Sequence, residues 1–133
     1  MQVLRVKTDH RTQMLDVTNE VQRVVASSGV RNGTCLLYVP HTTAGIFINE
    51  HADPDVASDA EGAVDRLVPA AALYRHAEGN SDSHLKTMLV GMNTFVFVED
   101  GKLALGRWQG IFFAEFDGPR ERKLYVKLLP DRV

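Results

Sequence analysis

The chain predicts an α+β fold, a single domain over residues 1–133 with a large, mostly antiparallel β-sheet covered by two or three helices. Three observations carry that prediction. Strand-forming runs punctuated by turn residues fill the C-terminal third. Two segments place apolar residues at helical spacing between clear start and stop signals. The length of 133 residues suits one core, and no repeat, linker or low-complexity tract divides it.

The elements follow in order. Val3 to Lys7 alternates as a strand, and a polar connection is expected after it. Asp16 or Thr18 caps a helix carrying Val17, Val21, Val24 and Val25, with Gly29 as its stop. Gly33–Val39 is a strand, and Pro40, which has no N–H to donate, ends its ladder. Gly45–Glu50 is the next strand, so His41-Thr42-Thr43-Ala44 forms a polar corner between two apolar runs. Asp53-Pro54 starts a second helix, a carboxylate cap followed by proline at the first helical position, which runs to Leu67 before Pro69. Pro69 to Asp82 is an ordered loop. Ser83 caps a short helix ending at Gly91, with a strand as the competing reading. Thr94–Val98, the Asp100-Gly101 turn and Lys102–Leu105 form a hairpin. Gly110–Phe116 and Lys123–Leu129 complete the sheet around a turn over residues 117–122.

Composition narrows the function. Hydrophobic residues make up 44% and charged residues 24%, with a net charge of -2. This argues against a general nucleic-acid binder or a membrane-surface protein. No segment has the apolar length to span a bilayer, and the N-terminus lacks a signal-peptide pattern. The simplest address is the cytoplasm. Cys35 is alone in an apolar run and reads as a buried small hydrophobe.

The chemistry-bearing residues centre on histidine. Of five histidines, His41, His76 and His84 sit among small hydroxyl residues, glycines and carboxylates. Imidazole serves both as metal ligand and as proton carrier near neutral pH. Their spacing matches no standard zinc fingerprint, but three histidines from scattered elements can hold a catalytic metal. The bland alternative is a set of surface or cap groups. Asp53 is explained as a helix cap, whereas Glu50 beside Asn49 can orient a histidine or bind a cation. Lys86 beside a helix start at Ser83 would favour an anion. Trp108, between Gly106 and Gly110 and flanked by Arg107 and Gln109, is either a pocket wall, a subunit contact or a buried core group at a bulge.

Read together, His41-Thr42-Thr43-Ala44, Asn49-Glu50, Asp53-Pro54, Tyr74 through Gly79, Ser83-His84-Leu85-Lys86, and Gly106 through Ile111 with Glu115 resemble the YjbQ-like family, often labelled secondary thiamine-phosphate synthase. The resemblance implies a large mixed sheet and a homotrimer. It also implies a weak transferase activity that joins an aminopyrimidine methyl diphosphate to a thiazole phosphate and releases diphosphate. By motif, it carries over catalytic His41, Glu50, His84 and Lys86. It carries over substrate contacts from Asn49, Asp53, Lys86, Trp108, Gln109 and Glu115, and His76 as a further site residue. Arg107 stands where relatives often have threonine and adds a cation for phosphate. His51 departs from relatives with asparagine and is left out, as is His10. The metal expectation is His41, His76 and His84 around zinc or another transition metal, with magnesium on a diphosphate substrate as the alternative. A metal-dependent hydrolase or lyase on a small phosphorylated metabolite, or a non-catalytic trimeric binder of an anion or metabolite, are the other functions these residues allow.

Overall fold

A computed structural model of the chain describes residues 1–132. The strands are β1 (Gln2–Lys7), β2 (Gln13–Asp16), β3 (Gly33–Tyr38), β4 (Ala44–Glu50), β5 (Asn93–Glu99), β6 (Lys102–Leu103), β7 (Gln109–Glu115) and β8 (Glu121–Pro130). The helices are α1 (Thr18–Ser28), α2 (Pro54–Leu67) and α3 (Ser81–Val90).

The α+β class is observed, but the strands divide between two sheets. One has five strands in the order β1-β8-β3-β5-β6, and the other has three in the order β2-β7-β4. Every strand pairing is antiparallel, so the mixed sheet implied by the resemblance is corrected. The partition begins at the polar corner after β3. Pro40 interrupts the ladder, and β4 leaves to pair with β7. The crossing is close at Gly45, where a Cβ would lie 2.5 Å from the Gly91 carbonyl oxygen. The Val39 amide donates to Met92 O and the Ile46 amide to Gly91 O, which ties the corner to the end of α3.

The core lies between the inner faces of the sheets. Cys35, Leu37, Val96, Val98, Leu124 and Val126 from the larger sheet meet Ile46, Ile111 and Phe113 from the smaller. Helix α1 seals this layer with Val21 and Val25, both fully buried. Gly29 ends α1 at φ 74°, the left-handed conformation that glycine adopts without a Cβ penalty. Beside this buried stripe of α1, Gln22 reaches the β5–β6 hairpin. Its amide donates to Gly101 O at 3.2 Å and accepts from Leu103 N at 3.0 Å. Helix α2 lies over the outer face of the small sheet, where Phe47 and Phe112 stack at 5.1 Å.

Four local expectations change. The polar connection after β1 contains β2, whose four residues owe their state to pairing with β7. The N-cap of α1 is Val17, and Asp16, one position before it, supplies the side-chain oxygen that accepts from Thr18 N at 3.0 Å. Helix α3 starts at Ser81 with Asn80 at its N-cap, so Ser83 is inside the helix rather than capping it. The return strand of the hairpin is two residues rather than four, and beyond it only the Ala104 amide still bonds across in register, to Phe97 O.

Candidate functional site

The polar corner is held by a buried ion pair that the sequence reading missed. Glu115, at the end of β7, is fully buried. Its carboxylate accepts from Thr8 Oγ1 at 2.7 Å, from Arg122, and from the amides of Phe116 and Asp117. Arg122 also donates to the Thr43 hydroxyl at 2.8 Å and to the Thr43 carbonyl. The pair therefore pins the corner after β3 against β8. All its hydrogen-bonding capacity points inward, so Glu115 is a positioning group rather than the expected substrate contact. Arg122 shares its strand face with Leu124 and Val126, which are buried. An arginine on an apolar strand face was the available signal.

His41 stands on this platform with a defined tautomer. Its Nε2 accepts a hydrogen bond from the Lys123 amide at 2.9 Å. Nδ1 must then carry the proton, leaving His41 with one free N–H donor and no free lone pair. Burial lowers its pKa below the ordinary value, with the positive charge of Arg122 adding to the effect and Glu115 opposing it. Arg120 and Lys123 contribute in the same direction as Arg122. His41 is thus a neutral hydrogen-bond donor surrounded by cations.

His76 and His84 do meet. Their rings lie 5.3 Å apart in an edge-on arrangement, His76 exposed on the loop and His84 on the first turns of α3. The start of α3 adjoins the His41 platform: Ser83 Oγ donates to Phe116 O, and Asn80 donates to Asp117, which pairs with Arg120. The expected three-histidine metal set is nevertheless not assembled by one chain. Among the described residues no three His, Cys, Asp or Glu side chains gather as a metal-binding group. A structural or catalytic zinc needs three or four protein ligands, and here a pair of imidazoles stands alone while the His41 lone pair is taken.

Lys86 is the clearest departure. Its side chain is 1% exposed. The ammonium bonds Asp82 at 2.9 Å and Asp65 across on α2. Arg11, from the β1–β2 connection, makes a second pair with Asp82 at 2.9 Å. Burial alone would lower the Lys86 pKa, but its hydrogen bonds to Asp65 and Asp82 outweigh that and raise it. For Asp82, burial works upward, yet Arg11 and Lys86 hold the carboxyl below the usual range. Lys86 is therefore committed to two carboxylates, not presented to a phosphate.

The remaining residues form a second group at the far end of β4. Asn49 and Glu50 end that strand, and Glu50 pairs in register with Gln109. Asp53 is occupied as the cap of α2, accepting from Asp55 N at 3.0 Å. Trp108 is 53% exposed, with the Arg107 guanidinium 4.8 Å from its ring centroid, so it is not the buried core group that one reading expected. Gln109 is used locally, its Oε1 accepting from Gly106 N. Glu50 carries no side-chain hydrogen bond or ion pair among the described residues. His51, set aside in the sequence, bonds Asp16 at 2.8 Å beside this group.

β4 separates the two groups. Ala44 pairs with Glu115 at one end and Glu50 with Gln109 at the other. Six strand steps at about 3.3 Å each put those ends roughly 20 Å apart. One small substrate cannot touch His41 and Glu50 of the same chain.

A family description, "UPF0047 protein YjbQ-like", matches residues 2–131. The UPF0047 protein YugU of Bacillus subtilis is 48% identical over 130 residues, covering 97% of this chain and 98% of its own. A UPF0047 protein of Methanocaldococcus jannaschii is 48% identical over 128 residues, covering 96% and 93%. Among solved structures, an uncharacterized YjbQ/UPF0047 protein of Clostridium acetobutylicum superposes with TM-score 0.95 at 47% identity, covering 97% of this chain and 100% of that one. A protein of unknown function from Sulfolobus solfataricus gives 0.93 at 33% identity, covering 98% and 96%. With a match across nearly its whole length and relatives this similar, the chain belongs to the YjbQ-like UPF0047 family.

Proposed function

We propose that the protein acts on a small phosphorylated metabolite, with transfer that releases diphosphate as its reaction class. One observation carries this reading: His41 is fixed as an N–H donor among Arg120, Arg122 and Lys123. A donor beside fixed positive charge suits phosphoryl oxygens and stabilises negative charge that develops as a leaving group departs. Arg122 is spent on Glu115 and the half-exposed Arg120 pairs with Asp117 at 3.1 Å, so the exposed Lys123 is the cation left without a carboxylate partner among the described residues.

The specific reaction to test is thiamine-phosphate synthesis. There the thiazole nitrogen forms a bond to the pyrimidine methylene carbon while the carbon–oxygen bond to diphosphate breaks. The purified protein is incubated with both precursors, with magnesium or zinc, and thiamine phosphate and diphosphate are measured together. Product formation that falls at least about a hundredfold in His41→Ala supports the reading. No product, together with no phosphate-induced shift at His41 Nδ1, overturns it.

The proposal includes a homotrimer. Two separate exposed apolar faces support it: Leu85, Met88 and Leu89 on α3, and Leu36, Tyr38, Phe95 and Phe97 on the outer face of the larger sheet. Different patches that fit one another head to tail close into a ring. A ring is also the arrangement in which the Glu50 end of one chain can approach the His41 end of the next.

A further inference from the structure

The contact between α2 and the small sheet is underfilled. None of the 14 residues of α2 is buried. Its inward stripe presents Val56, Ala57, Ala60 and Val64 to Met14, Phe47 and Val90, and the small alanines leave a cavity of about 210 Å³. A second cleft of about 350 Å³ continues along the other side of the helix, sharing Met14 and Ala57. An apolar cavity of about 150 Å³ is enough to admit benzene. The gap beneath α2 therefore has room for a ring.

The charged side chains that line it are carboxylates. Glu50 lines the cavity, and Asp16, Asp53 and Glu61 line the adjoining cleft. No lysine or arginine lines either space, and the histidine present, His51, is already bonded to Asp16. The floor is aromatic. Phe47 and Phe112 stack with only 8° between their planes, one lining the cavity and the other the cleft. Aromatic faces attract cations, and the Glu50 carboxylate has no competing partner among the described residues.

We infer that the groove between α2 and the β2-β7-β4 sheet binds a small aromatic organic cation. The ring occupies the space over Phe47 between Ala60 and Val64, and the cationic group faces Glu50. An anion is disfavoured by the four carboxylates, and a neutral ring gains only the apolar contact. This inference shares Glu50 with the ring arrangement proposed above but rests on the cavity under α2, and His41 of the same chain lies at the other end of β4.

Three single-ring probes of equal size test it on the full-length protein: benzylamine in its protonated form, benzyl alcohol and benzoate. Methyl resonances of Met14, Ala60 and Val64 are followed by NMR as each probe is added. Benzylammonium should give saturable shifts and bind roughly fivefold more tightly than benzyl alcohol, equivalent to about 1 kcal/mol. Benzoate should bind most weakly. Glu50→Gln should remove the preference for the cation while leaving benzyl alcohol unchanged. Ala60→Leu fills the cavity and should abolish binding of all three. Ala57→Leu provides the same test if the first variant does not fold. Benzoate binding as tightly as benzylammonium, no saturable shift with any probe, or full affinity in a folded cavity-filling variant would overturn the inference. Thiamine-phosphate formation is not read, so failure here leaves the phosphate proposal standing and the converse holds too.

Discussion

Replacing Lys86 by methionine decides whether this lysine serves the fold or a ligand. Methionine keeps most of the stem and removes the charge. In the native chain the ammonium pairs with Asp82, each side chain 1% exposed, and with Asp65, which is 51% exposed. The exposed partner is screened and contributes no more than about 1 kcal/mol. Removing one member of a buried pair costs about 3–5 kcal/mol, because the other charge is left without compensation. Arg11 still reaches Asp82 at 2.9 Å, which places the loss near the low end of that range. Together these give about 3 kcal/mol. For a chain of this length that is a fall of roughly 10 °C in Tm. Urea unfolding measured across pH adds a sign. The depressed pKa of Asp82 stabilises above the unfolded carboxylate value of about 3.9 and is lost as pH falls through the lower folded value. The raised pKa of Lys86 stabilises below its unfolded value of about 10.4 and is lost as pH rises through the folded value. Lys86→Met should therefore lose stability at neutral pH and lack the alkaline limb due to this group. A loss below about 1 kcal/mol, with phosphate affinity reduced instead, would refute the structural assignment.

Three further outcomes follow from particular contacts. Nitrogen-15 NMR of the histidine rings should show His41 protonated at Nδ1 and neutral at pH 7, titrating below the ordinary value of about 6.5; an Nε2–H tautomer would remove the donor role. Gly33→Ala should destabilise by roughly 1–3 kcal/mol in urea unfolding, since its Cβ would lie 2.2 Å from the Leu129 carbonyl oxygen; an unchanged midpoint would contradict that close approach. Glu50→Ala and His84→Ala should each abolish thiamine-phosphate formation, and the two chains refolded together should regain it if the two ends of β4 meet across copies; mixed assemblies with no recovered activity would count against a shared site.

Much of the fold was legible because its signals are local. Asp53-Pro54 starts α2, Gly29 stops α1, and Asp100-Gly101 turns the hairpin with both residues at positive φ. The division into two sheets was not, since it depends on which distant strands pair. β2 is short and carries little pattern of its own; β7 makes it a strand. The site divides in the same way. The polar corner at His41 was visible, but its tautomer is set by the Lys123 amide, 82 residues away in the chain. Glu115 looked like a ligand-facing acid until its partners Thr8 and Arg122 were placed around it. One local signal was available and overlooked: Asp82 and Lys86 stand four residues apart on a helix, the spacing of an intrahelical ion pair.

The Gln22 side chain has a consequence for how copies of the larger sheet can associate. By bonding both Gly101 O and Leu103 N, it occupies backbone groups at the β6 margin that another strand would need. The opposite margin, β1, pairs only with β8 and carries Arg5 and Lys7. Growth of this sheet is therefore one-sided. Two copies joining edge to edge through β1 use up their open margins in a single step, and the product presents two blocked ends. Propagation into a fibre needs a free edge at each addition, and this sheet has none to offer after the first.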